Sequence, residues 1–279
     1  EGGNYYVVVS GVSPCAAATS AVAAMNVDQV INITGQPASQ TVCEGAGVTF
    51  NIAANASGAT LTYQWRKDGT NIPSTNATSY SINPVSAASA GNFDVVISGA
   101  GSYSCPNTTS APGILAVNLL TTMSLTSAAA TTNQAVCINT PITNITYTMA
   151  GGATGMSITS GSLPAGVTGS FAAGVFTISG TPTTVGTFNY TVTATGPCNN
   201  VSLSGTITVN PLGTITLSSA AATQNQVICQ SAAITNITFT VGGSATSATI
   251  SAGSLPTGLS TNFSSGTFTI SGTPTQTGT

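Results

Sequence analysis

Histidine is absent from this 279-residue chain, and charge is nearly so: two Lys or Arg and five Asp or Glu make up 3% of the residues. An ordinary soluble domain carries about 25% charged residues. Without histidine there is no His-dependent catalytic triad and no His-ligated metal site. Arg66 and Lys67 are the two basic residues, too few for a patch that binds nucleic acid or anionic lipid. Ser and Thr are abundant, but an activated hydroxyl needs a base, and none is placed to serve one. No Gly-rich phosphate loop opens a helix. The expectation is a protein that is not an enzyme and holds no cofactor or metal. Long apolar runs are missing too. No stretch of 18 apolar residues predicts a transmembrane helix, and the N-terminus lacks the basic region of a signal peptide. Charge-driven disorder is excluded, because 41% of residues are hydrophobic and the net charge is −3.

What is present is repetition. Residues 121–187 align with 213–279 at a constant offset of 92 without a gap. Cys137 falls on Cys229, Ile142-Thr143-Asn144-Ile145-Thr146 on Ile234-Thr235-Asn236-Ile237-Thr238, Gly161-Ser162-Leu163-Pro164 on Gly253-Ser254-Leu255-Pro256, and Ser179-Gly180-Thr181-Pro182 on Ser271-Gly272-Thr273-Pro274. A second repeat type lies upstream. Gly3-Asn4-Tyr5-Tyr6-Val7-Val8-Val9 matches Gly91-Asn92-Phe93-Asp94-Val95-Val96-Ile97, and Cys15 then matches Cys105 after a two-residue insertion. This predicts four segments: the end of a type-A domain (1–27), a complete type-A domain (28–118), a complete type-B domain (119–211) and a partial type-B domain (212–279). The expectation is a window on a longer tandem array.

The repeats read as β. Phe188, Tyr190, Val192 and Ala194 alternate with Asn189, Thr191, Thr193 and Thr195, and Leu203, Ile207 and Val209 with Ser202, Ser204, Thr206 and Thr208. A period of two marks half-buried strands. Gly and Pro punctuate the strands at short intervals, the pattern of a β-sandwich. The Ala-rich stretch 16–24 aligns with a strand and is read as one. The fold class expected is all-β, a tandem array of sandwiches of about 90 residues each, extended into a rod.

Within the type-A domain, Val42-Cys43-Glu44-Gly45-Ala46-Gly47-Val48-Thr49-Phe50, then Tyr63-Gln64-Trp65-Arg66-Lys67-Asp68-Gly69, then Ala90-Gly91-Asn92-Phe93-Asp94-Val95 resemble an immunoglobulin-like (Ig-like) domain. The resemblance implies a buried core of Trp65, Ile52, Val95 and Phe93. Ile52 and Val95 stand where antibody domains carry their inter-sheet cysteines, and Phe93 stands at the tyrosine-corner position. In the type-B domain, Leu163-Pro164-Ala165-Gly166-Val167, Phe176-Thr177-Ile178-Ser179-Gly180-Thr181-Pro182 and Gly186-Thr187-Phe188-Asn189-Tyr190 resemble the Putative Ig repeats of bacterial surface proteins. Two such repeat types in a low-charge, Thr-rich chain resemble the giant adhesins that gliding bacteria export by type IX secretion. That resemblance implies an extracellular, cell-surface location and a role in attachment or gliding. The partners it implies are neighbouring repeats of the same chain, surface glycans or other cell-surface proteins, with neither nucleic acid nor membrane insertion.

Six cysteines at fixed repeat positions point to disulfides and an oxidising compartment. There is no Cys-x-x-Cys and no histidine to suggest zinc. The simple pairing lies within each domain, Cys43 with Cys105 and Cys137 with Cys198, and leaves Cys15 and Cys229 to partners outside the chain. In an Ig-like sandwich, however, the two positions fall at opposite ends, and a disulfide needs Cα atoms within about 7 Å. Pairing across domains, Cys43 with Cys198, is the alternative.

Other candidates are weak. Asp68 beside Arg66 and Lys67 reads as a solvated hairpin tip. Asp28 is a single carboxylate where a calcium site needs several, and Glu44 reads as surface. Tyr63, Trp65, Tyr80, Tyr147 and Tyr190 read as core and not as a sugar-stacking platform. The function expected is a structural stalk of a large secreted adhesin that projects a distal binding region. The alternatives are a carbohydrate-binding module of a secreted polysaccharide-degrading enzyme and a subunit of a self-assembling surface filament.

Trypsin has cleavage sites after Arg66 and Lys67 alone. Tryptic digestion of the folded chain, followed by gel electrophoresis, is expected to leave it intact or cut at that single locus. Fragmentation elsewhere would contradict this.

Overall fold

The structure, a computed structural model, describes residues 2–57, 59–101 and 104–278. The secondary structure of these residues is β-strand, with 3-10 turns at Ala87–Ser89, Ala129–Thr132 and Ala221–Gln224. The chain divides into two compact units, Glu1–Leu120 and Thr121–Thr279, and each is taken by itself.

The first unit contains a complete sandwich. Its principal strands are β1 (Gln40–Cys43), β2 (Val48–Asn51), β3 (Leu61–Lys67), β4 (Ser79–Ile82), β5 (Gly91–Gly99) and β6 (Gly113–Asn118). One sheet runs Thr70–Asn71, β3, β5, β6, β1, and β2 pairs with β4 opposite it. Strand β5 shows why the chain folds this way. Phe93, Val95 and Ile97 point inward and are buried, while Asp94 and Val96 alternate to the outer face. Val95 lies directly across from Trp65. Phe50, Trp65, Val95 and Ile97 are fully buried, and Ile52 joins the same core. Phe50 and Phe93 stack at 4.8 Å between ring centroids, and the Trp65 indole donates a 2.9 Å hydrogen bond to the carbonyl of Ala77. A buried indole N–H without such a partner would cost about 1–3 kcal/mol. Upstream, Gly3–Tyr5 pairs with Ala23–Met25, and Val8–Val9 with Ala18–Thr19.

The second unit begins with a complete type-B sandwich. Strands β7 (Thr121–Leu125), β9 (Ile145–Gly151), β12 (Val175–Gly180) and β11 (Val167–Ala172) form one sheet in that order. Strands β8 (Asn133–Cys137), β14 (Val201–Asn210), β13 (Gly186–Thr195) and β10 (Gly155–Gly161) form the other. Ile145, Tyr147, Ile178, Tyr190, Val192, Ala194, Ile207 and Val209 fill the space between them. Among the described residues the partial copy repeats only the first sheet: β15 (Thr214–Leu217), β16 (Ile237–Gly242), β18 (Thr267–Gly272) and β17 (Leu259–Ser264).

The repeated Leu-Pro-x-Gly and Ser-Gly-Thr-Pro motifs have a steric cause. Gly166 and Gly180 meet backbone to backbone: a Cβ on Gly180 would lie 2.2 Å from the Gly166 carbonyl oxygen, and one on Gly166 would lie 2.2 Å from that of Thr181. Their φ values are +85° and +137°, in the region open to glycine. Around them, Thr181 N–H donates to Gly166 O at 3.0 Å and Thr183 N–H to Ala165 O at 2.8 Å. The partial copy repeats the arrangement at Gly258 and Gly272.

Gly180→Ala is expected to destabilise the type-B sandwich by about 3 kcal/mol or more, from steric overlap added to φ strain. Gly174→Ala, also at positive φ but in open space, is expected to cost only about 1–2 kcal/mol. Chemical denaturation of both variants checks the difference.

Candidate functional site

The cysteines fall into two structural classes. Cys43 ends β1 and Cys137 ends β8. Each of these strands runs parallel to the last strand of its sandwich, in register with an asparagine: Cys43 opposite Asn118 and Cys137 opposite Asn210. The following residue, Glu44 or Ile138, donates its N–H to that asparagine's carbonyl at 2.9 Å. Cys43, Cys137 and Cys229 then each open the same turn. Each cysteine carbonyl accepts an N–H from three residues on at 3.1 Å, and the residue two on (Gly45, Asn139 or Ser231) has positive φ. Cys15, Cys105 and Cys198 form the second class. They lie in hairpin connections: Cys15 between Val8–Val9 and Ala18–Thr19, Cys105 between β5 and Thr108–Thr109, and Cys198 between β13 and β14.

The expected pairing within each domain is overturned. Cys43 and Cys198 each belong to a disulfide, whereas Cys105, Cys137, Cys15 and Cys229 carry free thiols, so neither Cys43 with Cys105 nor Cys137 with Cys198 is joined. The physical reason is strand length. The start of β5 lies beside the end of β6, through Gly91 opposite Leu115, and β6 ends beside Cys43. Cys105 follows the far end of this nine-residue strand, roughly 30 Å away at about 3.4 Å per residue. The ten-residue β13 separates Cys137 from Cys198 in the same way. A disulfide spans no more than about 7 Å between Cα atoms.

The charged hairpin is a built feature. Lys67 and Thr70 pair across Asp68-Gly69, both at positive φ, as a type I′ turn requires. Arg66 lies directly opposite Asp94 in the sheet and forms a two-point contact with it, Nε to Oδ1 at 2.7 Å and an Nη to Oδ2 at 2.8 Å. The hydrogen bond to Asp94 raises the guanidinium pKa further. Lys67 Nζ donates to the Ala88 carbonyl, and the Asp68 carboxylate accepts the Asn92 N–H at 2.9 Å. The tip is therefore tied down and its charges are largely spent internally. The role of Asp94 follows from strand register, a signal available in the sequence once β3 and β5 are paired.

Asp28 accepts the Ser104 N–H at 2.8 Å and its hydroxyl at 3.1 Å, which clasps the loop that carries Cys105. Glu44 is half-buried. Among the described residues no group of three His, Cys, Asp or Glu could hold a metal. Trp65, Tyr147 and Tyr190 are buried and Tyr63 and Tyr80 half-buried, so these rings offer no flat platform. The hydroxyls of Tyr147 and Tyr190 face each other at 3.4 Å inside the type-B core. Burial pushes both phenol pKa values above their ordinary value. The contact with Tyr190 partly offsets this for Tyr147, while the contact with Tyr147 adds to it for Tyr190.

The outer face of β13 and β14 carries a hydroxyl ladder. Thr191 meets Ser204 at 3.0 Å, Thr193 meets Ser202 at 2.8 Å, and the Thr206 hydroxyl donates to Asn189 Oδ1 at 2.8 Å. The partial copy leaves an apolar groove of about 660 Å³ lined in part by Ile228, Ile234, Ile237, Leu255, Leu259 and Ile270. The counterparts Ile142, Ile145, Val167 and Ile178 of the complete copy are buried under β13 and β14.

Comparison with known proteins agrees with this architecture. The family model described as Putative Ig domain matches residues 114–210. The decoration protein of Escherichia phage T5 is 34% identical over 74 residues, 26% of this chain, and the chain spans 45% of that protein's length. Among solved structures, the titin I-band fragment I67-I69 superposes with a TM-score of 0.59 at 12% identity, covering 87% of this chain and 88% of the fragment. Immunoglobulin domains 1–5 of Sidekick-1 give a TM-score of 0.50 at 12% identity, covering 98% of this chain and 61% of that one. At these identities the structural likeness is one of fold. The chain is built of tandem Ig-like repeats.

In a spectrophotometric titration of the folded chain, the phenolate signal of Tyr147 and Tyr190 is expected only above the ordinary tyrosine range near pH 10. Their folded pKa values are raised, so the stability they contribute is complete below about pH 10 and falls as pH rises, because the unfolded state ionises first. A Tyr147→Phe, Tyr190→Phe double variant should lose the late-titrating component. Uniform titration of all seven tyrosines near pH 10 would refute this.

Proposed function

We propose that this chain is a stalk segment of a large secreted adhesin, in which closed Ig-like repeats act as spacers that hold a distal binding region away from a cell surface. The observation that carries this reading is the succession of Ig-like repeats in which Trp65, Phe93, Tyr147 and Tyr190 are packed in the cores and Arg66 is paired with Asp94. Disulfide-bonded cysteines support an oxidising, extracytoplasmic setting. The hydroxyl- and amide-covered surface, poor in tryptic sites, suits an exposed location. Export by type IX secretion and a part in gliding belong to the same proposal and rest on the sequence resemblance.

The 34% match to a phage decoration protein favours a second reading, in which a repeat attaches to a surface made by another assembly. Two measurements test the stalk reading. An antibody raised against the chain should label intact, unpermeabilised producing cells, and the purified chain should bind no glycan on an array above background. Labelling only after permeabilisation would overturn the surface location. Specific glycan capture by residues 119–211 would replace the spacer with a binding module.

A further inference from the structure

We propose that a glutamine side chain, and not the strand's own partner, fixes the first parallel strand of a repeat, so that this strand stands as a preset edge to which the last strand adds. Gln40, Gln134 and Gln226 carry this positioning role.

Gln134 lies in β8 between the exposed Asn133 and Ala135 and is itself half-buried. Its side-chain amide does for the backbone of Thr143 what a neighbouring strand would do. Oε1 accepts the Thr143 N–H at 2.8 Å, and Nε2 donates to the carbonyls of Thr143 and Thr131, both at 2.9 Å. Both amide protons are used, and the flipped amide would set its oxygen against two carbonyl oxygens. Thr143 leads into β9, a strand of the opposite sheet. The amide therefore pins the first strand of one sheet to the entry of the other. Gln40 does the same more simply in the type-A domain: Nε2 donates to the carbonyl of Thr49 in β2 at 2.9 Å. In all three repeats the glutamine stands nine residues ahead of its threonine.

The partial copy separates this latch from strand pairing. Among the described residues, 225–229, the counterpart of β8, pair with no strand, and Val227 is fully exposed. Gln226 nevertheless accepts the Thr235 N–H at 2.8 Å and donates to the Thr235 carbonyl at 2.7 Å and the Thr223 carbonyl at 2.9 Å. The hydroxyl contact that steadies the preceding turn is kept as well, Ser219 to Thr223 at 2.7 Å against Ser127 to Thr131 at 2.8 Å. Beyond the segment, Ser231 N–H donates to Pro274 O at 3.0 Å, as Asn139 N–H does to Pro182 O at 2.9 Å. The latch has the same geometry with and without a parallel partner, so it is not a product of that pairing. It supplies what the pairing needs, a first strand whose place is set independently of the last.

The test follows backbone amides of the full chain by NMR. The Thr143 and Thr235 amides, whose acceptors are glutamine side chains, should be protected from hydrogen exchange. Gln226→Ala should lower the protection of Thr235 by about tenfold, the effect of one lost hydrogen bond, and leave the amides of β16 and β18 unchanged. A second variant, Gln134→Glu, separates a latch from mere space-filling. Residues 121–279 contain no Asp, Glu, Lys, Arg or His, so the new carboxyl titrates alone. Ionised, it accepts the Thr143 N–H but turns its other oxygen on two carbonyls; protonated, it can donate to one of them. The folded state thus raises its pKa. The variant is then most stable below the unfolded glutamate value of about 4.3 and loses stability as pH rises through the folded value. The urea midpoint read from Val192 and Ile207 should fall between about pH 4 and pH 7 in Gln134→Glu and stay level in the unsubstituted chain. An unprotected Thr235 in the unsubstituted chain, unchanged protection in Gln226→Ala, or a Gln134→Glu midpoint that ignores pH would each overturn the proposal.

Discussion

Each complete repeat depends on one parallel strand pairing in an otherwise antiparallel sandwich. β1 runs alongside β6, and β8 alongside β14, each in the same direction as the last strand of its sandwich. This pairing covers the edge of the final strand, which would otherwise present unsatisfied backbone groups. It also dictates where the chain turns. Because the two strands are parallel, the first must end where the last ends, and the turn cysteine is carried to that end. The connection that leads from the preceding long strand into the last one lies at the other end. The separation of the two cysteine classes is therefore a consequence of backbone hydrogen bonding, enforced by strands of nine and ten residues.

The scarcity of charge acquires a physical meaning from the sheet surfaces. Across β13 and β14, hydroxyls at opposing positions bond to one another, where other proteins place ion pairs. Such cross-strand pairs contribute about 0.2–1 kcal/mol each and, unlike exposed ion pairs, are not screened by salt. The Arg66–Asp94 pair is the ion pair found among the described residues. It follows the same logic, with two residues directly opposite in register, held by a planar fork that a lysine could not reproduce. Its side chains are about a quarter and a fifth exposed, so solvent screening leaves it a modest contribution, about 1 kcal/mol or less.

Much of this was legible in the sequence. The 92-residue offset separated the type-B copies, period-two alternation identified the strands, and Trp65 with its flanking residues pointed to the Ig-like sheet. The sequence left the cysteine pairing open, because spacing reports position along the chain, and only the Ig-like resemblance indicated at which end of a sandwich a residue emerges. That information resides in the parallel pairing of β1 with β6, whose short strand Gln40–Cys43 has only a brief alternating pattern. The partnership of Arg66 with Asp94 was hidden for a related reason: it depends on strand register, and register is set by many contacts acting together. The facing phenols of Tyr147 and Tyr190 come from two different sheets, so no spacing within a single strand could reveal them.

The two type-B copies show what a repeated sequence can and cannot secure. Strands β15 to β18 reproduce β7, β9, β11 and β12 in pairing and in register, down to the Gly258–Gly272 approach. One sheet of the sandwich is thus specified locally, by its own turns and hairpins. Burial is not. Ile145 and Ile178 are completely buried in the complete copy, whereas their counterparts Ile237 and Ile270 are only half-buried and line an open groove. The difference lies in β13 and β14, whose Tyr190, Val192, Ala194, Ile207 and Val209 supply the opposing half of the core. At about 25 cal/mol per Å² of apolar surface removed from water, the stabilisation of a repeat arises chiefly where its two sheets meet. Hydrogen bonds within one sheet set the geometry, and the second sheet converts that geometry into stability.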